Sequence, residues 1–169
     1  MKRKYYLFLL FFLISSVAFS QNDLHINKIF EDYGKKEGSV LIELGKDILD
    51  NHTKINRYRS LLIVSDSVNV EIAKQIGQAI KSDFKANGSY GNGVILKEKF
   101  KDGILTEAIY SLGKPNNEKE TEFIMFTYKS KQITLVYLKG KFEALQLKEE
   151  LKSLEDLFIY VNKKRIKLN

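Results

Sequence analysis

The pattern of apolar and polar positions is clearest over residues 57–87, where it predicts one strand followed by one helix. Residues 58–64 are a run of strand-forming side chains, and a polar turn follows at 65–67. Apolar residues then recur every three or four positions, which gives a helix one apolar face: Ile72, Ala73, Ile76, Ala79, Ile80 and Phe84. Asn87-Gly88 is expected to end this helix. Since a strand and a helix with one apolar face cannot bury themselves, the rest of the chain must supply a sheet.

Upstream of this unit the pattern predicts a short helix and a strand. Apolar residues at near-helical spacing over 24–36 indicate a helix, with Asn22 or Asp23 as its N-cap and Gly34 or Gly38 at its end. The compact apolar run 39–44 is typical of a strand, and 45–49 is long enough for one helical turn.

Downstream the pattern changes from helical to strand periodicity. It predicts strands at 94–100, 104–112, 123–128 and 133–138, with Asp102-Gly103 as a short hairpin turn between the first two. A second amphipathic helix is predicted over 142–158. The expected fold is therefore α+β, with a largely antiparallel sheet of about six strands and two or three helices packed on one face.

The N-terminal twenty residues have the pattern of a signal peptide. Lys2-Arg3-Lys4 is a basic start, residues 5–19 are almost unbroken apolar, and Ala18-Phe19-Ser20 is a small-x-small cleavage site. As a helix this run would span roughly 22 Å, short of the roughly 30 Å hydrocarbon core. We therefore expect cleavage near Ser20-Gln21, export to the periplasm or beyond, and no membrane span afterwards. A single α+β domain over 21–160 and a basic tail over 161–169 should remain.

Charge and cysteine content exclude several classes of function. The chain has a net charge of +7, but three of its lysines and arginines leave with the signal peptide. The remaining excess is accounted for by the tail residues Lys163, Lys164, Arg165 and Lys167. The body is neutral overall, so nucleic acid is not an expected partner. No cysteine is present, and His25 and His52 lie in different segments, so no metal site or cofactor is expected.

Candidate binding residues are few. Arg57 and Arg59 alternate with Tyr58 and so share one face of a strand, where two guanidinium groups can clamp a carboxylate or phosphate. The alternative is an ion pair with a neighbouring acid such as Glu98 or Glu107.

Two further candidates lie outside the strands. Tyr90, in the glycine-rich turn 88–93, is placed to stack on a sugar or a protein partner. The tail Lys163, Lys164 and Arg165 can attract an acidic surface, or it can be a solvated chain end.

The order of segments resembles a group of small exported proteins of Bacteroidota with domains of unknown function. The likeness rests on the signal peptide, then Ile29-Phe30-Glu31-Asp32-Tyr33, then Arg57-Tyr58-Arg59-Ser60-Leu61, and the strand Thr134-Leu135-Val136-Tyr137-Leu138-Lys139-Gly140. It covers most of residues 24–150. The resemblance implies an exported α+β domain and supplies no activity.

Three functional hypotheses follow. The first is a non-catalytic periplasmic binding or interaction module that holds an envelope protein on an open sheet face or edge. The aromatic residues Phe123, Phe126, Tyr128 and Tyr137 are its candidate surface, with a place in the core as the alternative. The second is a hydrolase-type enzyme whose carboxylates and arginines are assembled by folding, which requires a pocket containing Arg57 or Arg59. The third is a carrier of a small apolar ligand between sheet and helices.

Overall fold

A computed structural model describes residues 24–49, 53–64, 70–88, 93–113 and 120–155. Four helices lie in these ranges: α1 (His25–Tyr33), α2 (Lys46–Leu49), α3 (Val70–Gly88) and α4, which is helical over 147–155 after a 3₁₀ turn at Ala144–Gln146. Six strands lie in them: β1 (Ser39–Leu44), β2 (Ile55–Val64), β3 (Val94–Lys101), β4 (Ile104–Gly113), β5 (Thr121–Lys129) and β6 (Gln132–Gly140). The predicted signal peptide and basic tail lie outside the described residues.

The six strands form one open antiparallel sheet in the order β1-β2-β6-β5-β4-β3. After the β1–β2 pair, the chain passes through α3 to the far edge of the sheet. The meander β3-β4-β5-β6 then returns strand by strand until β6 pairs with β2. This topology confirms the predicted α+β class and leaves β1 and β3 as the two edge strands.

Helix α1 begins without a capping side chain of its own, because its N-cap residue is Leu24. The carboxylate of Asp83, on α3, accepts hydrogen bonds from the backbone N–H of His25 (2.6 Å) and of Ile26 (3.0 Å). A buried acid from a distant helix thus supplies the cap that was expected from Asn22 or Asp23, which lie outside the described residues. The helix ends at Tyr33, with Gly34 as its C-cap residue as predicted.

Side chains alternate between two hydrophobic clusters, one on each face of the sheet. Helices α1 and α3 cover the first, which includes Phe30, Ile76, Ile80, Leu61 and Tyr110. The second lies on the opposite face and includes Leu49, Phe123, Phe142, Leu147 and Leu154. The prediction of helices on one face therefore holds for α1 and α3 and is wrong for α4. The reason is that alternate residues of β5 are apolar on both sides, so both faces of this strand need a cover.

Candidate functional site

Strand β3 is the most exposed apolar element of the described chain. It has a strand neighbour on one side only, and its residues are exposed apart from the half-buried Lys97. Four of its large apolar side chains keep between 41% and 49% of their surface exposed: Val94, Ile95, Leu96 and Phe100. An edge strand of this kind presents backbone N–H and C=O groups to which another chain can add a strand.

The local sequence explains the shape of this edge. Asp102 and Gly103 both have positive φ (53° and 75°), as a two-residue type I′ hairpin requires, so β4 returns directly beside β3. Register shifts occur between Ile95 and Lys97 and between Lys99 and Phe100, which marks two irregularities in the pairing. As a result Phe100 lies opposite Leu105 and faces the α3 side of the sheet.

A cleft of about 220 Å³ lies between α3 and the β3–β4 hairpin. Its lining includes Lys74, Gln78, Lys81, Phe100, Ile104 and Leu105. Leu105 and the neighbouring Ala73 are almost fully buried and form an apolar floor, whereas Phe100 is a half-exposed wall. The cleft therefore opens directly onto the β3 edge.

The cleft is cationic. Among the described residues, its lining includes two lysines and no carboxylate. The Lys81 ammonium nitrogen lies 4.5 Å from the centre of the Phe100 ring, a cation–π geometry. The Lys74 nitrogen lies 3.7 Å from a carboxylate oxygen of Glu71, one turn earlier on α3. The arrangement suits an apolar group that carries a negative charge near it.

Two acids of the β3–β4 hairpin, Glu98 and Glu107, are engaged by neighbouring groups. Glu107 on β4 accepts hydrogen bonds from Lys97 and Lys99, which hold the pKa of its carboxyl below its usual range. Glu98 accepts a hydrogen bond from the Tyr110 hydroxyl. Burial, together with Glu98, raises the pKa of Tyr110 well above its ordinary value.

The two arginines predicted to bind together lie in different surroundings. Arg57 is exposed on β2, whereas Arg59 is 8% exposed and its guanidinium is occupied. Arg59 Nε donates to Glu43 at 2.5 Å, and its Nη1 donates to Asn27 at 2.8 Å. Its guanidinium carbon also lies 4.3 Å from the centre of the Phe30 ring. The ion pair is with Glu43, directly opposite on β1, and not with Glu98 or Glu107.

A second charged cluster lies where β5 and β6 meet the segment before β5. The Lys139 nitrogen is 3.4 Å from an oxygen of Glu122 and 3.8 Å from one of Glu120, which also accepts a hydrogen bond from Asn56. None of these residues lines the cleft beside α3. They also do not line a second cleft of about 560 Å³ at the β5–β6 turn, whose lining includes Val64, Lys129 and Gln132. Neither cleft contains Arg57 or Arg59.

Three of the four aromatic candidates follow the alternative of core packing. Phe123, Phe126 and Tyr137 are at most 5% exposed, and Tyr128 is partly buried. The largest set of exposed apolar side chains lies instead on β3. A smaller set lies on β1 and β2 at Val40, Ile42 and Val64, and Ile48 and Leu145 are exposed singly. The one sequence signal for an edge was the run of lysines alternating along β3, a common protection of edge strands.

The remaining candidates, Tyr90, Lys163, Lys164 and Arg165, lie outside the described residues. Within the described ranges, no group of three or more His, Asp or Glu side chains is arranged to hold a metal ion. No helix in that part of the chain has the length and apolar character needed to cross a membrane.

The chain matches a known protein family. A family model described as a family of unknown function (DUF6108) matches residues 13–151. A search of curated proteins found no match.

Proposed function

This chain belongs to the family of unknown function DUF6108, and we propose that it is a non-catalytic interaction module of the cell envelope. Its β3 edge takes up an extended segment of a partner protein as a seventh strand. The observation that carries this proposal is the exposure of β3, with four large apolar side chains beside a backbone edge that no strand of the described residues pairs with.

Strand addition suits this edge physically. Main-chain hydrogen bonds provide affinity for any extended segment, and the side chains on either side of the new strand provide specificity. Each backbone hydrogen bond contributes only about 0.5–1.5 kcal/mol net, so the apolar side chains must contribute as well. Ile95, Leu96 and Phe100 are positioned to do so, because their exposed surface would be removed from water by an added strand.

Export is the second part of the proposal. The basic start at Lys2-Arg3-Lys4 and the apolar run over 5–19 support removal of a signal peptide near Ser20-Gln21. An intact-mass measurement on the protein from its native cells tests this part. A chain that begins at Gln21 is expected, and a full-length chain that begins at Met1 contradicts it.

The hydrolase alternative has weaker support. It requires a concave site that combines an acid with Arg57 or Arg59, and the donors of Arg59 are directed to Glu43 and Asn27. The carrier alternative requires space between sheet and helices, where Phe30, Ile76, Ile80 and other core side chains are packed.

Affinity capture with edge variants tests the module. Ile95→Lys places a charge on the β3 edge, and Val40→Lys places the same charge on the opposite edge strand β1, at a similarly exposed position (48% and 54%). Tagged wild-type protein captured from native envelopes should carry one stoichiometric partner. Ile95→Lys should lose that partner and Val40→Lys should keep it. Equal capture by all three proteins contradicts the proposal.

A further inference from the structure

The cleft beside β3 suggests what kind of segment the edge accepts. Phe100 belongs to both features, since it lies on the edge strand and lines the cleft. A strand added to β3 would therefore place every second side chain over this cleft. The inference that follows rests on the proposed function.

The size of the cleft favours a side chain of a partner protein over a separate small molecule. Its volume of about 220 Å³ is below the roughly 300–1,000 Å³ of pockets that enclose drug-sized ligands. The apolar floor at Ala73 and Leu105 suits one bulky apolar side chain.

The charge of the cleft adds a second requirement. Helix α3 runs alongside β4, because Gly77 faces Leu105 and Phe84 stacks on Tyr110 with 5.1 Å between ring centres. Lys74 and Lys81 lie two turns apart on this helix, about 10 Å along its axis. In an extended partner, residues two positions before and after an anchor are about 13 Å apart and point to the same side as the anchor. The two spacings are close enough for long lysine side chains to reach both positions.

We propose that the cleft receives an apolar side chain of a partner protein's strand, with acidic residues two positions before and after it. The pattern is acid-x-apolar-x-acid. Lys74 and Lys81 pair with the two acids, and Phe100 and Leu105 contact the apolar anchor.

Charge complementarity favours this partner over a second copy of the chain. The cations available to a partner are Lys74 and Lys81 in the cleft lining, because Lys97 and Lys99 are paired with Glu107 on β4. A second copy of β3 contains three lysines and a single acid, Glu98, so it cannot supply two carboxylates to the cleft, whereas an acidic strand can.

A fluorescence-anisotropy titration tests the motif. The probe is a labelled, end-capped peptide of eight residues, the length of β3, with a central phenylalanine and glutamates two positions to either side. A matched probe carries lysines in place of the glutamates. The wild-type protein should bind the acidic probe at least about tenfold more tightly than the lysine probe. Two exposed ion pairs of roughly 0.7 kcal/mol each give this ratio, and repulsion of the lysine probe adds to it. This preference should weaken as salt increases.

Charge reversal in the protein completes the test. Lys81→Glu should lose the preference for the acidic probe and gain affinity for the lysine probe. The control Lys152→Glu makes the same change on the exposed surface of α4 and should behave like the wild type. Thermal unfolding of both variants checks that the fold is retained. No binding of the acidic probe, or equal binding of both probes, overturns the motif.

Failure of the motif and failure of the module can be told apart. If Lys81→Glu still captures the envelope partner and Ile95→Lys does not, the edge is the interface and the acidic motif is wrong. If Ile95→Lys also captures it, the proposed function itself is wrong. Size-exclusion chromatography tests a second copy of the chain as the occupant of the β3 edge. A concentration-dependent dimer that Ile95→Lys abolishes would show that the added strand comes from a second copy and not from another protein.

Discussion

Replacing Arg59 by methionine should destabilise the protein without affecting partner binding. Methionine retains much of the apolar contact of the arginine stem but removes the guanidinium. The pair with Glu43 counts as a surface ion pair of at most about 1 kcal/mol, because Glu43 is half exposed. The hydrogen bond to Asn27 contributes about 1.5 kcal/mol, and the contact with Phe30 about 0.5 kcal/mol.

These contributions together predict a loss of about 2–3 kcal/mol in the free energy of unfolding. For a chain of this size, about 3 °C of Tm corresponds to each kcal/mol, so the melting temperature should fall by roughly 6–9 °C. Urea unfolding followed by circular dichroism measures the free energy, and calorimetry measures Tm. An unchanged m-value would show that the variant and the wild type expose the same amount of surface on unfolding, so their free energies can be compared.

A matched control lies two residues away on the same strand. Arg57→Met removes the same group from an exposed position and should change the free energy of unfolding by no more than about 0.5 kcal/mol. Equal effects at both positions, or a loss below 1 kcal/mol at Arg59, would refute the structural role. Retained stability with lost partner capture would instead favour a binding role for this arginine.

Three further predictions concern stability. Asp83→Ala should cost about 2–4 kcal/mol and speed hydrogen exchange at the Ile26 amide, because it leaves helix α1 without its cap; an unchanged exchange rate would argue against capping. Gly140→Ala should lower the free energy of unfolding in urea by at least about 2 kcal/mol, because a Cβ there would lie 2.4 Å from a backbone oxygen. Gly103→Ala is the control. Its Cβ meets open space, so it should cost only about 1 kcal/mol, for the positive φ. Above about pH 10, where an unfolded tyrosine loses its proton, the raised pKa of Tyr110 should make stability fall with pH by up to about 1.4 kcal/mol per unit. Tyr110→Phe should have a shallower slope in the same measurement, and identical slopes would contradict the link.

Much of the fold was predictable because its signals are local. The apolar positions of α3 recur every three or four residues, and the structure places this helix at Val70–Gly88. Asp102 and Gly103 specify a hairpin through their own backbone conformations. Strand β1 was predicted with its observed limits, Ser39–Leu44, because turn residues flank a compact apolar run.

The features that were missed depend on contacts between distant segments. Asp83 caps a helix that begins 58 residues earlier, and no local pattern marks an acid for that task. The partner of Arg59 follows from the pairing of β1 with β2, which puts Glu43 directly opposite. The placement of α4 on the second face depends on Phe142 stacking on Phe123, with 5.1 Å between ring centres.

The candidate site was missed for the same kind of reason. The alternation of apolar residues and lysines along β3 was visible, but a central and an edge strand of a meander can share such a pattern. Strand β3 is an edge strand because β6 pairs with β2. The meander then extends away from β2 in the order β6, β5, β4 and β3, so β3 comes last. The cleft depends in turn on α3 lying beside the hairpin, so neither feature is encoded by one segment alone.

Site-specific photocrosslinking in the native cells shows which edge of the sheet contacts a partner. A benzoylphenylalanine replaces Leu96 on β3 in one protein and Ile42 on β1 in another, two positions with matched exposures of 41% and 39%. We expect that the probe on β3 crosslinks to one envelope protein in high yield and that the probe on β1 does not. A crosslink to that protein from β1 alone, or none from β3, would contradict the assignment of the β3 edge as the interaction surface.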